Sequence, residues 1–349
     1  MGEQRLRIER LDPYTEDTGI LSQVHALLAR RHAEAWPEDP ATTYDEVVRD
    51  LRSTPAFVGK RRWIAWKGAR VVGYASVALP ETQDNRHLAD GSLYVLPEER
   101  RKGVGSRLLT EIATAARADG RRLLLDGTDA DIPAGEAFAK AVEAKPGLKL
   151  SISQLELAQV DRDLIRRWIE QAPTQAFELG VWLGPYPEED LPAIIALREV
   201  MNTAPREDLD VEDFHWTPEH LRQVEQALAD AGEERWTLYC RHKPSGELAG
   251  YTEVYWSPEH PERLGQGDTG VMPAYRRRGL GKWLKAAMLE RVFAERPQVE
   301  RIRTGNAGSN APMLKINREL GFRERKRITV WQAELGTVEA RLNGERAPS

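Results

Sequence analysis

LYVLPEERRKGVGSRLL (Leu93 to Leu109) and TGVMPAYRRRGLGKWLK (Thr269 to Lys285) are two versions of one pattern, V-x-P-x-x-R-R-[KR]-G-[VL]-G. Gly103 matches Gly279, and Gly105 matches Gly281. The two turns lie near half the chain length apart, a period that describes tandem domains and not a solenoid. Each turn runs into a stretch with helical periodicity. Leu280, Leu284, Met288 and Val292 recur every four residues, as do Leu108, Ile112 and Ala116, which places one apolar stripe on each helix.

The flanks repeat as well. Arg61 to Gly68 and Ala69 to Leu79 read as a hairpin, and Arg235 to Trp256 reads as another, turning at Pro244, Ser245 and Gly246. Helical sequence precedes each hairpin, at Ile20 to Ala35 and Tyr44 to Arg52, then at Leu191 to Met201 and Pro218 to Ala231. After each glycine turn and its helix come a strand (Arg121 to Gly127, Glu300 to Asn306), a short helix (Ala134 to Ala144, Ser309 to Leu320) and a last strand (Lys149 to Leu157, Arg327 to Leu335). The predicted fold is α/β: two tandem domains, each a mixed, mainly antiparallel sheet flanked by helices. Predicted boundaries are 1–160, a connecting segment 161–176, a second domain 177–336 opening on the strand Phe177 to Gly184, and a polar tail 337–349.

Composition narrows the function. The chain has 349 residues and a formal net charge of -5, so nucleic acid is not an expected partner. The single cysteine, Cys240, excludes an intrachain disulfide and a cysteine-built zinc site. It reads as a small buried apolar residue. No metal is expected, because the histidines show no helical His-x-x-x-His spacing. The N-terminus is charged from Glu3 on, and Leu6 stands where myristoylation after Gly2 wants Ser or Thr. No run approaches the ~18 apolar residues of a membrane span. A cytoplasmic protein with no membrane partner, monomeric or homodimeric, is expected.

A glycine turn between a strand and a helix is a phosphate cradle. The first helical N–H groups lack intrahelical partners, the macrodipole favours an anion, and glycine admits close approach. Arg100, Arg101 and Lys102, and Arg276, Arg277 and Arg278, add positive charge. The pattern is neither a P-loop nor a dinucleotide fingerprint. It resembles the [RQ]-x-x-G-x-[GA] motif of the GNAT superfamily of acetyl-CoA-dependent N-acetyltransferases, and both halves resemble that fold. The resemblance implies acetyl-CoA as acyl-donor substrate, with a bulged strand before the motif pairing with the pantetheine arm. It assigns Gly270, Val271 and Met272, then Arg278, Gly279, Leu280, Gly281 and Lys282, to the donor slot of the second domain. Tyr94, Val95 and Leu96, then Lys102, Gly103, Val104 and Gly105, are their first-domain counterparts. Arg101 and Arg277 stand where the family often has glycine, which is tolerable if they keep helical-turn dihedrals.

The second half matches further. Asn310-Ala-Pro-Met-Leu-Lys-Ile-Asn317-Arg-Glu-Leu-Gly321-Phe322 resembles the family's N-x-x-A-x-x-x-Y-x-x-x-G-F segment beside the cofactor thiol. Asn310 is expected to cap its helix. Asn317 replaces the tyrosine that protonates the leaving thiolate. It could still hydrogen-bond the sulfur, or water could supply the proton. The first half has no such segment, so chemistry is expected in the second domain, and the first is expected to be structural or to hold CoA without turnover.

The base is expected to be Glu253 or Asp268 on the central strands, with Glu253 ahead because large neighbours would desolvate it and raise its pKa. Tyr251, Tyr255 and Tyr275 are alternative acids. The acidic stretch Arg206 to Trp216 is either a wall for a cationic amine or a solvated loop. The expected reaction moves an acetyl group from acetyl-CoA to a primary amine of a small molecule or peptide by direct attack in a ternary complex. The alternative is a non-catalytic acyl-CoA-binding or sensor module, and an acyl group larger than acetyl stays open.

Overall fold

The computed structural model describes residues 5–344. Residues 1–4, Gly2 among them, and 345–349 of the tail lie outside the described residues. In chain order the elements are β1 (Leu6–Arg10), α1 (Thr18–Ala35), α2 (Tyr44–Arg52), β2 (Val58–Lys67), β3 (Arg70–Pro80), β4 (Leu88–Val95), α3 (Val104–Ala118), β5 (Leu123–Asp129), α4 (Pro133–Ala141) and β6 (Lys145–Glu156). Then follow α5 (Arg162–Glu170), β7 (Phe177–Leu183), α6 (Leu191–Arg198), α7 (Pro218–Asp230), β8 (Glu234–His242), β9 (Leu248–Trp256), β10 (Arg263–Val271), α8 (Leu280–Glu295), β11 (Arg301–Ala307), α9 (Ala311–Leu320), β12 (Arg323–Glu334) and α10 (Leu335–Leu342).

The chain forms two compact units. One comprises the residues up to Leu148, Asp208–Glu212 and the chain from Ile328 on; the other comprises Lys149–Glu207 and Asp213–Arg327. The first unit's strands run β1-β2-β3-β4-β5-β12, and the second's run β7-β8-β9-β10-β11-β6. Only β4·β5 and β10·β11 are parallel pairs within these units. This division differs from the boundaries read from the repeat. The last strand of the first half, β6, pairs antiparallel with β11, and the last strand of the chain, β12, pairs antiparallel with β5. The burial pattern of a strand fixes which face it buries but does not specify a partner.

The helical stripes are buried as their spacing predicts: Leu280, Leu284, Met288 and Val292 are at most 1% exposed, and Leu108, Ile112 and Ala116 likewise. Full burial of a large apolar side chain stabilises by about 1.5–3 kcal/mol. Two features were not anticipated. β1 completes the first sheet against β2, with Leu6 and Ile8 packed on the core. The segment after Glu334 is α10 and not a polar tail: Leu335 and Val338 belong to the first unit's core, and Arg117 pairs with Glu339.

Both sheets open in the middle. β10 pairs with β11 from Arg263 to Gln266, and β4 pairs with β5 from Leu88 to Asp90. Beyond those points the parallel ladders end among the described residues. The backbone of 267–271, like that of 91–95, is then hydrogen-bonded on one side only.

Candidate active site in the second unit

The turn at the end of β10 is built by backbone. Gly279 takes φ +81° and leads into α8, which has no side-chain cap. By contrast, α7 and α9 are capped by Thr217 and Asn310. A Cβ on Gly279 would point into open space. The first amides of a 16-residue helix therefore have no side-chain cap among the described residues, beside the free edge of β10. That is the shape and polarity a pyrophosphate with an extended amide-bearing arm requires, so the donor fits here. Gly103 and α3 repeat the geometry in the first unit.

The arginines divide the labour. Arg276 and Arg100 turn back on their own strands, their Nε donating to the carbonyls of Val271 and Val95, so they brace the turns and do not face a phosphate. Arg277 and Arg101 have φ of +62° and +63°, in the left-handed region and not the helical one expected of them. This explains the family's preference for glycine there: a side chain costs about 1 kcal/mol. The two cradles differ in charge. In the first, Lys102 pairs with Glu99, and Glu98 pairs with Arg30 and Arg70. The second has Ala274 and Tyr275 at those places.

The register of β10 slips between Gln266 and Thr269. Gly267 and Asp268 together oppose Glu253, which is a β-bulge. The two candidate carboxylates thus come together but in unlike surroundings. Glu253 is 0% exposed. Its Oε1 accepts from Tyr186 Oη (2.6 Å), Arg198 Nη1 (2.6 Å) and Thr237 Oγ1 (3.2 Å), and its Oε2 accepts from Tyr255 Oη (3.1 Å). Burial pushes its pKa up, but the charges of Arg198 and Arg235 and the tyrosine hydrogen bonds outweigh it, and the net shift is downward. The expectation that desolvation makes Glu253 the better proton acceptor is therefore overturned. Asp268 is 39% exposed on its side chain. It lies 3.4 Å from Tyr251 Oη and 3.8 Å from Arg198 Nη2. Burial of its inner side and the charge of Glu253 raise its pKa. It is the accessible end of the network.

Sequence reading missed Arg198 and Tyr186, while Trp216 belongs to the stretch already read as a possible wall for an amine. Arg198 is 8% exposed, lies over the Trp216 ring at 4.6 Å, and has no partner for Nε among the described residues. The signal was there: Leu191, Ile194, Leu197 and Arg198 share the buried face of α6, and a charge on such a face needs a buried partner.

On the far side of the opening, Asn310 caps α9 by accepting from Met313 N, and Gly321 ends it at φ +98°. Asn317 is 2% exposed and donates to Asn306 Oδ1 at 2.7 Å, while its own Oδ1 has no partner among the described residues. Ile316 lies against Gly281. Lys282 is paired with Glu319. The tyrosines considered as acids donate elsewhere: Tyr251 to Asp268, Tyr255 to Glu253 and Tyr275 to Glu247. Cys240 is buried, and burial pushes its thiol up to about 12. The acidic stretch is tied down. Asp210 pairs with Arg122, Glu212 accepts from Asn85, Glu207 accepts from Ser309 and Asp213 pairs with Arg206. Among the described residues no group of three or more His, Cys, Asp or Glu could hold a metal ion, and no helix is long and apolar enough to cross a membrane.

A parallel strand pair that splays onto an uncapped, glycine-turned helix offers the cradle and open edge that an acyl-CoA donor needs. The model of the acetyltransferase (GNAT) family matches residues 21–141 and again 194–322, and the chain belongs to that family as a tandem member. A mycothiol acetyltransferase of Mycobacteroides abscessus is 30% identical over 289 residues, covering 80% of this chain and 85% of that protein. One from Rhodococcus opacus is 27% identical over 280 residues, covering 76% and 80%. Among solved structures, the tandem GNAT protein from the clavulanic acid biosynthesis pathway, without AcCoA, superposes with a TM-score of 0.80 at 27% identity, covering 95% of this chain and 99% of that one.

Proposed function

We propose that the second unit acetylates a primary amine of a small molecule or peptide by direct attack in a ternary complex, with Asp268 as the proton acceptor. The observation that carries this reading is the bulge. It sets a partly exposed carboxylate of raised pKa beside Arg198 and Tyr251, on the stretch of β10 where its pairing with β11 has ended. The ammonium of the acceptor gives one proton to Asp268, which passes it to solvent; the nitrogen lone pair then attacks the thioester carbonyl, the C–S bond breaks to leave CoA thiolate, and the nitrogen loses its second proton to Asp268 as the neutral amide forms. The free edge of β10 and the amides of Arg278 to Lys282 hold the donor, together with the backbone of Gly270, Val271 and Met272. Glu253 anchors Arg198 and the tyrosines and is not the base. Asn317 cannot supply a proton, so solvent protonates the thiolate, and the unpartnered Oδ1 of Asn317 accepts a hydrogen bond from the donor arm. The names of the curated relatives favour a small-molecule acceptor over a protein.

A screen of amines, aminoglycosides, polyamines and peptides with acetyl-CoA, read as free thiol, tests this. Amine-dependent thiol release that Asp268→Asn abolishes is the expected result. Asn317 in the tyrosine's place favours a second reading, a non-catalytic acyl-CoA-binding module. That reading predicts saturable CoA binding with no thiol release for any acceptor.

A further inference from the structure

The first unit repeats the strands of the second but not its charges. Tyr74 pairs with Tyr94 as Tyr251 pairs with Gly270, at matching distances before the two glycine turns. Following the ladders outward, Ser76 stands in the place of Glu253, Arg62 in that of Thr237, and Lys60 in that of Arg235. β4 passes Ser92 in unbroken register, with no bulge like the one that carries Asp268. Where the second unit concentrates carboxylates, the first puts cations and hydroxyls.

These residues line a cavity of about 560 Å3, within the range that takes a small metabolite. Arg62 and Lys60 stand on one wall with Tyr74, Ser76 and Ser92 beside them, and Arg31 is at the rim. Leu28, Val47 and Leu51 supply an apolar side. Arg62 is 7% exposed. Its guanidinium meets the neutral hydroxyls of Thr54, at 3.3 Å from Nη2, and Tyr74, while its Nε has no partner among the described residues. Among the described residues Arg31, Lys60 and Arg62 form no ion pair. The acidic groups nearby are Asp50 on the lining and Asp90, whose field reaches Lys60. Asp126, just past the end of the β4·β5 ladder, stays protonated up to about pH 7. Burial holds Lys60 below the usual lysine value, and the charges of Arg62 and Arg31 push it the same way. A buried guanidinium without a counter-ion is expensive to maintain for stability alone. An anion with an apolar body would meet both the cations and the apolar side of this lining.

We propose that the cleft between α1, α2 and the sheet of the first unit binds a small carboxylate- or phosphate-bearing molecule, with Arg62 and Lys60 as its charge partners. The same cleft in the second unit takes a cationic acceptor, so the two units have opposite preferences. The proposal does not rest on acetyl transfer, and its test does not use turnover.

The probes are benzoate, phenylacetate and inorganic phosphate, with benzylamine as the cationic counterpart. Each is titrated calorimetrically into the full chain with coenzyme A in excess, so that the two glycine turns are filled. Saturable binding of at least one anion, weakened tenfold or more in both Arg62→Met and Lys60→Met, is expected. Binding of the two carboxylates identifies a carboxylate ligand; binding of phosphate alone identifies a phosphate ester. Without ligand, both variants should melt at or above the wild-type temperature, because each removes an uncompensated charge. The proposal is overturned if no anion binds, if benzylamine binds and the anions do not, or if anion binding survives both substitutions. It is also overturned if both variants melt well below wild type, since the cations are then structural. Should Arg62→Met fail to fold, Lys60→Met alone decides between these outcomes.

Discussion

Replacing Glu253 by glutamine should damage the fold more than the chemistry. The carboxylate is 0% exposed and accepts four hydrogen bonds, two of them at 2.6 Å. Arg198 is buried against it with a side-chain exposure of 10%. Glutamine keeps one acceptor oxygen but removes the charge, and its amide hydrogens meet donors. Breaking a buried pair from one side typically costs about 3–5 kcal/mol. For a unit of this size that lowers the melting temperature by roughly 6–20 °C. The pH dependence has a definite sign. The folded-state pKa of Glu253 is depressed below the ordinary 4.5, so its stabilisation is present above the unfolded value and is lost as pH falls through the folded one. Wild type should therefore lose more stability than Glu253→Gln when taken into acid. Asp268→Asn, at a partly exposed side chain, should melt near wild type yet lose about 10²–10⁴-fold in turnover. The assays are scanning calorimetry between pH 3 and 8 and thiol release at saturating acetyl-CoA. If Glu253→Gln melts like wild type but is inactive, while Asp268→Asn turns over normally, the assignment of base and anchor is refuted.

Burial and Glu253 raise the pKa of Asp268, and a base must be ionised to act. The acid limb of turnover should therefore lie above the range of a free aspartate and be absent from any residual activity of Asp268→Asn. Gly279→Val adds a branched side chain at φ +81° on the cradle, so CoA affinity measured by calorimetry should fall at least tenfold; an unchanged affinity would remove the donor from this turn. Gly103→Val should leave turnover nearly intact in protein that circular dichroism shows to be folded. Burial disfavours the charge of Asp126 and pushes its pKa up to about 7, so this carboxyl costs the fold stability as pH rises from the ordinary 3.8 of the unfolded chain to about 7, and the loss is complete above that. Asp126→Asn should then raise the melting temperature at pH 8 and leave it unchanged at pH 4; equal effects at both would show the shift to be absent.

What the sequence revealed is what repeats or is local. Helical spacing placed the buried stripes of α3 and α8, and the strand–glycine–helix order placed both cradles, because these features depend on residues close in the chain. The partners of β6 and β12 were not legible, since the same alternating strand satisfies either sheet. β1 was passed over because LRIER is mostly charged, although Leu6 and Ile8 alternate. The direction of the Glu253 shift was not legible for a related reason. Neighbouring aromatic residues signal burial, but the sign of a buried carboxylate's shift depends on the cations that reach it. Arg198 and Arg235 arrive from α6 and β8, far away in sequence.

The two units separate what a backbone can do from what side chains must do. The cradle and the open strand edge are made of amides and carbonyls, and they need only two glycines and a left-handed turn. They therefore persist in both units although the flanking residues differ and two arginines occupy left-handed positions. The cleft beyond the opening is made of side chains projecting from one face of three strands. There a few differences, Thr237 against Arg62, Glu253 against Ser76, and a bulge against none, replace strand carboxylates with a hydroxyl and a guanidinium without disturbing the sheet. A motif written in backbone thus marks the same turn in either half, while the charge of the cleft beyond it is written in the strand side chains.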